Sequence, residues 1–400
     1  MSSVWGNEVN GYTLEPYADL SGADLRDQNL RGAPLSFANL QGADLRGADL
    51  TFANAWNCDF RGADLRGAIF LKAQLSRSKF QDAVFENTYM YGANMEGCQF
   101  MGVEFGPGCD MTKGKLRNAN FTEAIFGDDS DNLILENADM EWAYLRKMDL
   151  RTSRIDWANL TNADFSDSNL QFKNIGPGWR INGARFHRCD FSGCVVDGLI
   201  AENIEFDYSN FEDATFLNTS LHSRVGFDNV RAIRARFTDC YFNINSHWES
   251  ADLRYSQFLR TNVSGAWWRA TDFTGSHFVF CSMAGLRASG ANFEDCIFLT
   301  NNMEESDLTT CNFKGAEISQ QNTRGETTMN NVTWTQAYLP GATLTNIAIC
   351  GAYSWDEAIF EDIITDEDGN ESVLRATLNN ITGPDCYLFH AERVEREDPI

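Results

Sequence analysis

The side chains best suited to hold a metal ion or act as nucleophiles are the cysteines and histidines, and one short stretch gathers His187, Cys189 and Cys194. A zinc site needs donors turned toward a common centre. Cys189 and Cys194 each stand two residues before a large apolar residue, Phe191 and Val196, whereas His187 directly follows Phe186. That spacing turns the thiols inward and the imidazole outward, so the three are not expected to share an ion. Cys281, Cys296 and Cys311 recur every fifteen residues, and thiols buried in apolar surroundings are inert. His222, His247, His277 and His390 are scattered, with no evident carboxylate partner to make one of them a general base. HExxH, GKS or GKT, GxSxG and CxxC are all missing. The expectation is a protein that is not an enzyme and carries no metal or cofactor.

The elements that position these residues come from a five-residue word, seen twice in Gln41 to Leu50, QGADLRGADL. Each word has a large apolar centre (Leu45, Leu50) and a small partner two residues before it (Ala43, Ala48). A period of five fits neither the 3.6-residue helix nor strand alternation, so the unit is a short bent segment repeated as a solenoid. Nine of the 11 cysteines occupy the small-partner place, where they read first as small buried apolar residues.

The centres run every fifth residue from Leu20 to Phe105. From Leu253 the near-identity is at twenty residues, as in Phe258, Phe278 and Phe298, so four words make one rung and side chains twenty apart stack as ladders about 4.8 Å apart. Residues 18–355 form the repeat, a rod on the order of 80 Å long. It slips near 106–110, 127–134, 176–180, 226–232, 243–248 and 324–330. Gly106, Pro107 and Gly108 read as a one-residue bulge at a corner, and Gly176, Pro177 and Gly178 as the same device. Residues 1–17 cap the first rung. Residues 356–400 break the word: a hairpin is expected about the DG turn at 368–369, and a short helix through Tyr387, Leu388, Ala391 and Val394.

The words ADLSGADL at 18–25 and GADLRGADL at 42–50 resemble the pentapeptide-repeat family, with its A(D/N)LxG motif, over nearly the whole chain. The resemblance implies an all-β fold, a right-handed quadrilateral parallel β-helix with small terminal caps, whose centres and small partners point inward. It also implies a candidate role, because some members are DNA mimics that bind gyrase or topoisomerase IV and inhibit or protect it. In those members a C-terminal cap forms a dimer and loops project from the shaft. Here Tyr387, Leu388, Ala391 and Val394 are the cap candidate, and residues 127–132, with Asp128, Asp129 and Asp131, the loop candidate.

Composition bounds the partner. There are 32 Lys plus Arg against 57 Asp plus Glu, a net charge of -25, which argues against direct binding to nucleic acid or an anionic membrane and permits a partner with a basic groove. Acidity also serves solubility. The shaft carries roughly a third of the charge density of DNA. Trp142, Trp157 and Phe172 lie two residues past their centres and fifteen apart, an exposed diagonal stripe that Phe37 and Phe52 repeat. Exposed aromatics mark an interface or simply cover a corner. Two functions follow: an acidic rod that mimics DNA toward a type II topoisomerase, or a spacer, spike or scaffold in a phage particle or other large complex. Free thiols and the lack of a signal segment suggest the cytoplasm, or a virion for a phage protein.

Overall fold

The computed structural model describes residues 8–126, 133–147, 155, 157–166, 169–171, 184–320, 329, 331–345, 358–365 and 371–379. The chain divides into two compact units, Met1–Ser209 and Asn210–Ile400. The described residues are β-structured, and no helix among them is long and apolar enough to cross a membrane.

In the first unit, parallel bridges join Asp19 to Asn39, Asp24 to Asp44, Asn29 to Asp49 and Pro34 to Asn54. A coil therefore closes every twenty residues, and its four words lie on four sides of a parallel β-helix. These bridges number the sides: Asp19 begins side one, Asp24 side two, Asn29 side three and Pro34 side four. The centres and their small partners are buried throughout. Centres twenty apart stack; Phe60, Phe80 and Phe100 follow one another at 5.0 and 4.9 Å between ring centroids, nearly parallel. Dispersion between close-packed rings and removal of apolar surface from water supply the cohesion of each side.

The small-partner place has a rule of its own. Where it is Cys, Ser or Thr, its side chain can donate to the centre carbonyl of the coil before, 23 residues back in an ordinary coil. Cys58 Sγ donates to Leu35 O at 2.8 Å, Ser78 Oγ to Ala55 O at 2.9 Å and Thr88 Oγ1 to Leu65 O at 2.9 Å. Nine cysteines, the same nine that the word places there, are free and buried. The polar place just before the centre has a second rule: its Asp or Asn oxygen accepts the backbone N–H two residues on, as Asp44 Oδ1 does from Arg46 and Asn39 Oδ1 from Gln41. That local bond explains why the word spells Asp or Asn there.

Each word ends on a corner residue, two past the centre, with positive φ. Gly22, Gly42 and Gly62 supply it, and so do Asp27, Phe37, Phe52, Asn57 and Arg77. Gly47 is the clearest case, because a Cβ there would lie 2.2 Å from Asp27 Oδ1. The bulge at Gly106 lengthens the register from 20 to 21 residues, as the pairing of Tyr89 with Asp110 shows, and a Cβ on Gly106 would meet Phe85 O at 2.6 Å. Residues 176–178 lie outside the described residues; across them Asn159 pairs with Arg185 and Asp164 with Asp190, a register of 26 residues, six more than an ordinary coil. At the start, Glu8–Val9 pairs antiparallel with Tyr12–Thr13, and Asn10 Nδ2 donates to Asp24 O at 3.0 Å.

The second unit repeats the plan with three-residue strands. Arg236–Thr238, Gln257–Leu259, His277–Val279 and Ile297–Leu299 pair in parallel, in register, and Phe258, Phe278 and Phe298 stack at 5.0 and 4.8 Å. Trp248 and Trp268 are buried centres whose indole N–H groups have no hydrogen-bond partner. Glu361–Thr365 pairs antiparallel with Glu371–Arg375, Ile363 opposite Val373, and Thr377–Asn379 adds in parallel to Thr343–Thr345. The candidate helix through Tyr387, Leu388, Ala391 and Val394 lies outside the described residues.

Because each ring is gripped by rings above and below it, Phe80→Ala should lower unfolding free energy by about 3–5 kcal/mol, and Phe80→Leu by less than about half of that. Urea denaturation of the two variants checks it.

Candidate functional site

The outward side chains sort by side. On side two, Arg26 grips Asp24 at 2.7 Å and reaches Asp44 at 3.5 Å; Arg46 grips Asp44 at 2.6 Å and reaches Asp64 at 3.5 Å; Arg66 grips Asp64 at 2.6 Å. The bonds from Nε and Nη2 make each grip bidentate. The Arg26 hydrogen bond holds the Asp24 carboxyl down at about 2, and Arg61 does the same for Asp59 on side one. Asp44 and Asp64 are lowered chiefly by Arg46 and Arg66. The Asp of the word is therefore largely neutralised by the Arg that follows it.

Other acids escape that pairing. Asp27, Asp82, Glu86 and Glu104 lie on side two or its corners, and among the described residues none of them makes a direct ion pair, although Arg26, Arg61 and Arg66 lie within electrostatic reach of Asp27, Asp82 and Glu86. Between Asp24 and Glu104 this side and its corners hold seven acids against the three arginines Arg26, Arg46 and Arg66. Side four is different. Its ladder through Asn54, Gln74 and Asn94 is uncharged, Lys72 and Arg77 stand on its corners, and neither has a carboxylate partner among the described residues. The cross-section is polarised, with free acid on one side and free cations opposite, which a charge count along the chain does not show.

The aromatic residues are also placed by corners. Trp142 and Trp157 have φ of 61° and 58° and are 53% and 66% exposed. Trp142 N donates to Thr161 O, on the corner line that begins with Phe37; the twenty-residue period puts Trp157 on the line of Phe52 and Lys72. They occupy neighbouring corners, so they frame side four and do not touch. Phe52 is exposed, but Phe37 is half-buried, stacked on Tyr17 at 4.7 Å and edge-on to Trp56 at 4.2 Å. Residues fifteen apart thus step diagonally from one corner to the next, with Trp142 and Trp157 both exposed. Phe172, Asp128, Asp129 and Asp131 lie outside the described residues.

The chemistry-bearing residues of the sequence are dispersed. Cys189 Sγ donates to Leu160 O and Cys194 Sγ to Phe165 O, both at 2.9 Å, while His187 packs on Tyr208. Burial pushes the Cys58 and Cys281 thiols up to about 12 and Cys109 to about 11. Among the described residues no group of three His, Cys, Asp or Glu is arranged to hold a metal ion. What the arrangement can do is bind with its outer sides.

A family model described as pentapeptide repeats matches residues 17–47, 43–82, 68–106 and 134–171, with eight copies. Those residues, about a third of the chain, are pentapeptide repeats. Solved structures of pentapeptide-repeat proteins resemble the chain. One from the thylakoid lumen of Arabidopsis thaliana is 28% identical over 28% of this chain and 71% of that one, with a TM-score of 0.21. HetL of Nostoc sp. strain PCC 7120, a pentapeptide-repeat protein involved in heterocyst differentiation regulation, is 16% identical over 70% and 89%, with a TM-score of 0.19. QnrB1, a plasmid-mediated fluoroquinolone resistance protein, is 11% identical over 67% and 95%, with a TM-score of 0.20. No curated protein matches the chain in sequence.

Two outcomes follow from the corners and the ladder. Holding Trp at positive φ costs about 1 kcal/mol relative to Gly, so Trp142→Gly and Trp157→Gly should each raise thermal stability slightly in the isolated protein, measured by calorimetry. Asp24 and Asp59 have folded values below the ordinary 3.8, so their contribution is complete above about pH 4 and is lost as pH falls toward about 2. Stability measured in urea should stay level from pH 7 to about 5 as far as these carboxylates set it and drop below about 4; Arg61→Gln should shrink that drop.

Proposed function

We propose that this repeat protein is a non-enzymatic binding protein that offers acidic side two to a basic groove on a protein partner, and that the partner is a type II DNA topoisomerase such as gyrase. The observation that carries the reading is the line of unpaired acids Asp27, Asp82, Glu86 and Glu104 along one side of the first unit. Over about 19 Å that side has a net negative charge of roughly a third of the DNA density. Family members that mimic DNA act on such enzymes, and their target grooves are built for a negatively charged rod. Free thiols at nine buried positions suit a reducing compartment, which is where the topoisomerase would be met.

The exposed Trp142 and Trp157 favour a second reading, a structural or assembly element docked through side four. The two readings use opposite sides and separate by mutation. In a gyrase supercoiling assay, micromolar protein should inhibit the enzyme or protect it from a quinolone, with an effect that fades as salt rises. The fourfold variant Asp27→Asn, Asp82→Asn, Glu86→Gln, Glu104→Gln should lose that effect at least tenfold, while Trp142→Gly should keep it. A wild-type protein without effect on supercoiling or on quinolone sensitivity would refute the topoisomerase reading.

A further inference from the structure

The column of residues just past the centres on side four runs Ser36, Trp56, Ser76, Glu96. Trp56 is a large ring between two serines. Phe37, itself stacked on Tyr17, covers Trp56 from below. Above it the small Ser76 leaves an open hollow of 280 Å³ lined by Asn54, Trp56, Gln74, Ser76 and Arg77. Trp56 is 38% exposed there. The hollow therefore continues the aromatic column of Tyr17, Phe37 and Trp56, with a guanidinium at its rim.

The polar groups around it are in unlike states. Gln74 is committed, donating to Lys72 O at 3.5 Å and accepting from Asn94 Nδ2 at 3.2 Å. Asn54, Ser76 and Arg77 make no side-chain hydrogen bond or ion pair among the described residues. Arg77 differs in this from Arg26, Arg31, Arg46, Arg61 and Arg66, each of which holds a carboxylate. Lys72 and Lys79, on either side of Arg77 in the same coil, have no carboxylate partner either. In a chain of net charge -25, the three cations Lys72, Arg77 and Lys79, none in a direct ion pair, outnumber the neighbouring Glu96 and attract an acidic ligand, and a guanidinium beside an indole face suits a carboxylate next to a flat ring.

We propose that this hollow is a binding site for an acidic peptide segment of a partner protein that carries an aromatic side chain next to a carboxylate. The aromatic ring lies over Trp56 and Ser76 and extends the Tyr17–Phe37–Trp56 column. The carboxylate accepts from Arg77, and the Asn54 amide is free to bond the peptide backbone. Lys72 and Lys79 add long-range attraction to neighbouring acids of the segment. The positive charge of Lys72, Arg77 and Lys79 favours an acidic peptide over a neutral, hydroxyl-rich sugar ring. The site is independent of the topoisomerase reading, since it lies on the opposite side and takes a ligand of opposite charge.

The full-length protein, labelled with nitrogen-15, would be titrated with the peptide acetyl-Asp-Glu-Phe-Asp-Glu-amide at low salt, following the Trp56 indole resonance assigned with Trp56→Phe. The expected result is a saturable shift of that resonance and an affinity that falls as salt rises. Replacing the peptide Phe by Ala, or Trp56 by Ala, should weaken binding at least tenfold. Arg77→Gly should weaken it as much without lowering the melting temperature, because Arg77 has φ of 63° and the next corner of its line is already Gly97. That variant separates loss of ligand from loss of fold. No shift of the Trp56 resonance, or binding unchanged in Arg77→Gly, would overturn the proposal. Binding of oligogalacturonate in place of the peptide would overturn the peptide assignment and make the hollow a saccharide site.

Discussion

Among the described residues the ordinary corner of the coil turns on one residue at positive φ, whose amide donates to a carbonyl of the next coil. Gly42 N reaches Arg61 O at 2.9 Å, Asn57 N reaches Ser76 O at 2.8 Å and Arg77 N reaches Glu96 O at 2.7 Å. The centre amide does the same two places earlier, as Leu45 N does to Asp64 O. Backbone groups that would otherwise be stranded beside an apolar interior are satisfied this way along the whole coil. The constraint sets the rest: the centres must stack, the small partner must leave room for the turn, and the surface must be read as four columns.

The inward half of this arrangement was legible in residues. Leu45 with Ala43 and Leu50 with Ala48 specify centre and partner, and the twenty-residue identity of Phe258, Phe278 and Phe298 specifies four sides, because stacking like on like leaves a strong trace. The outward half was not. Asp44 looks like surface acid until its grip by Arg46 is seen. Charge summed along the chain hides the polarity between side two and side four, since successive words face different ways. Writing the sequence in rows of twenty would have found the free cations Lys72 and Arg77 and the run Asp27, Asp82, Glu104. The long register was invisible for another reason: the spelling there is regular, and only the pairing of Asp164 with Asp190 shows 26 residues between neighbours.

A coil that fills its interior with side chains presents its outward letters to any partner. In the first unit the repeated Asp–Arg couples keep most of the surface electrically quiet. Against that background a few uncoupled acids on one side and a few uncoupled cations opposite become the features a partner can recognise. Corner residues add a second vocabulary, because a Trp kept where Gly would be easier has a cost that packing in the isolated chain does not repay.

The central claim is that binding is a property of one side. Hydroxyl-radical footprinting of the complex with gyrase reads it directly. Val84 and Ile125, which are 46% and 53% exposed on side two, should be protected from oxidation, while Trp56 and Trp142 should react as in the free protein. Protection of Trp56 and Trp142 with Val84 and Ile125 left open, or equal protection on all sides, would contradict it.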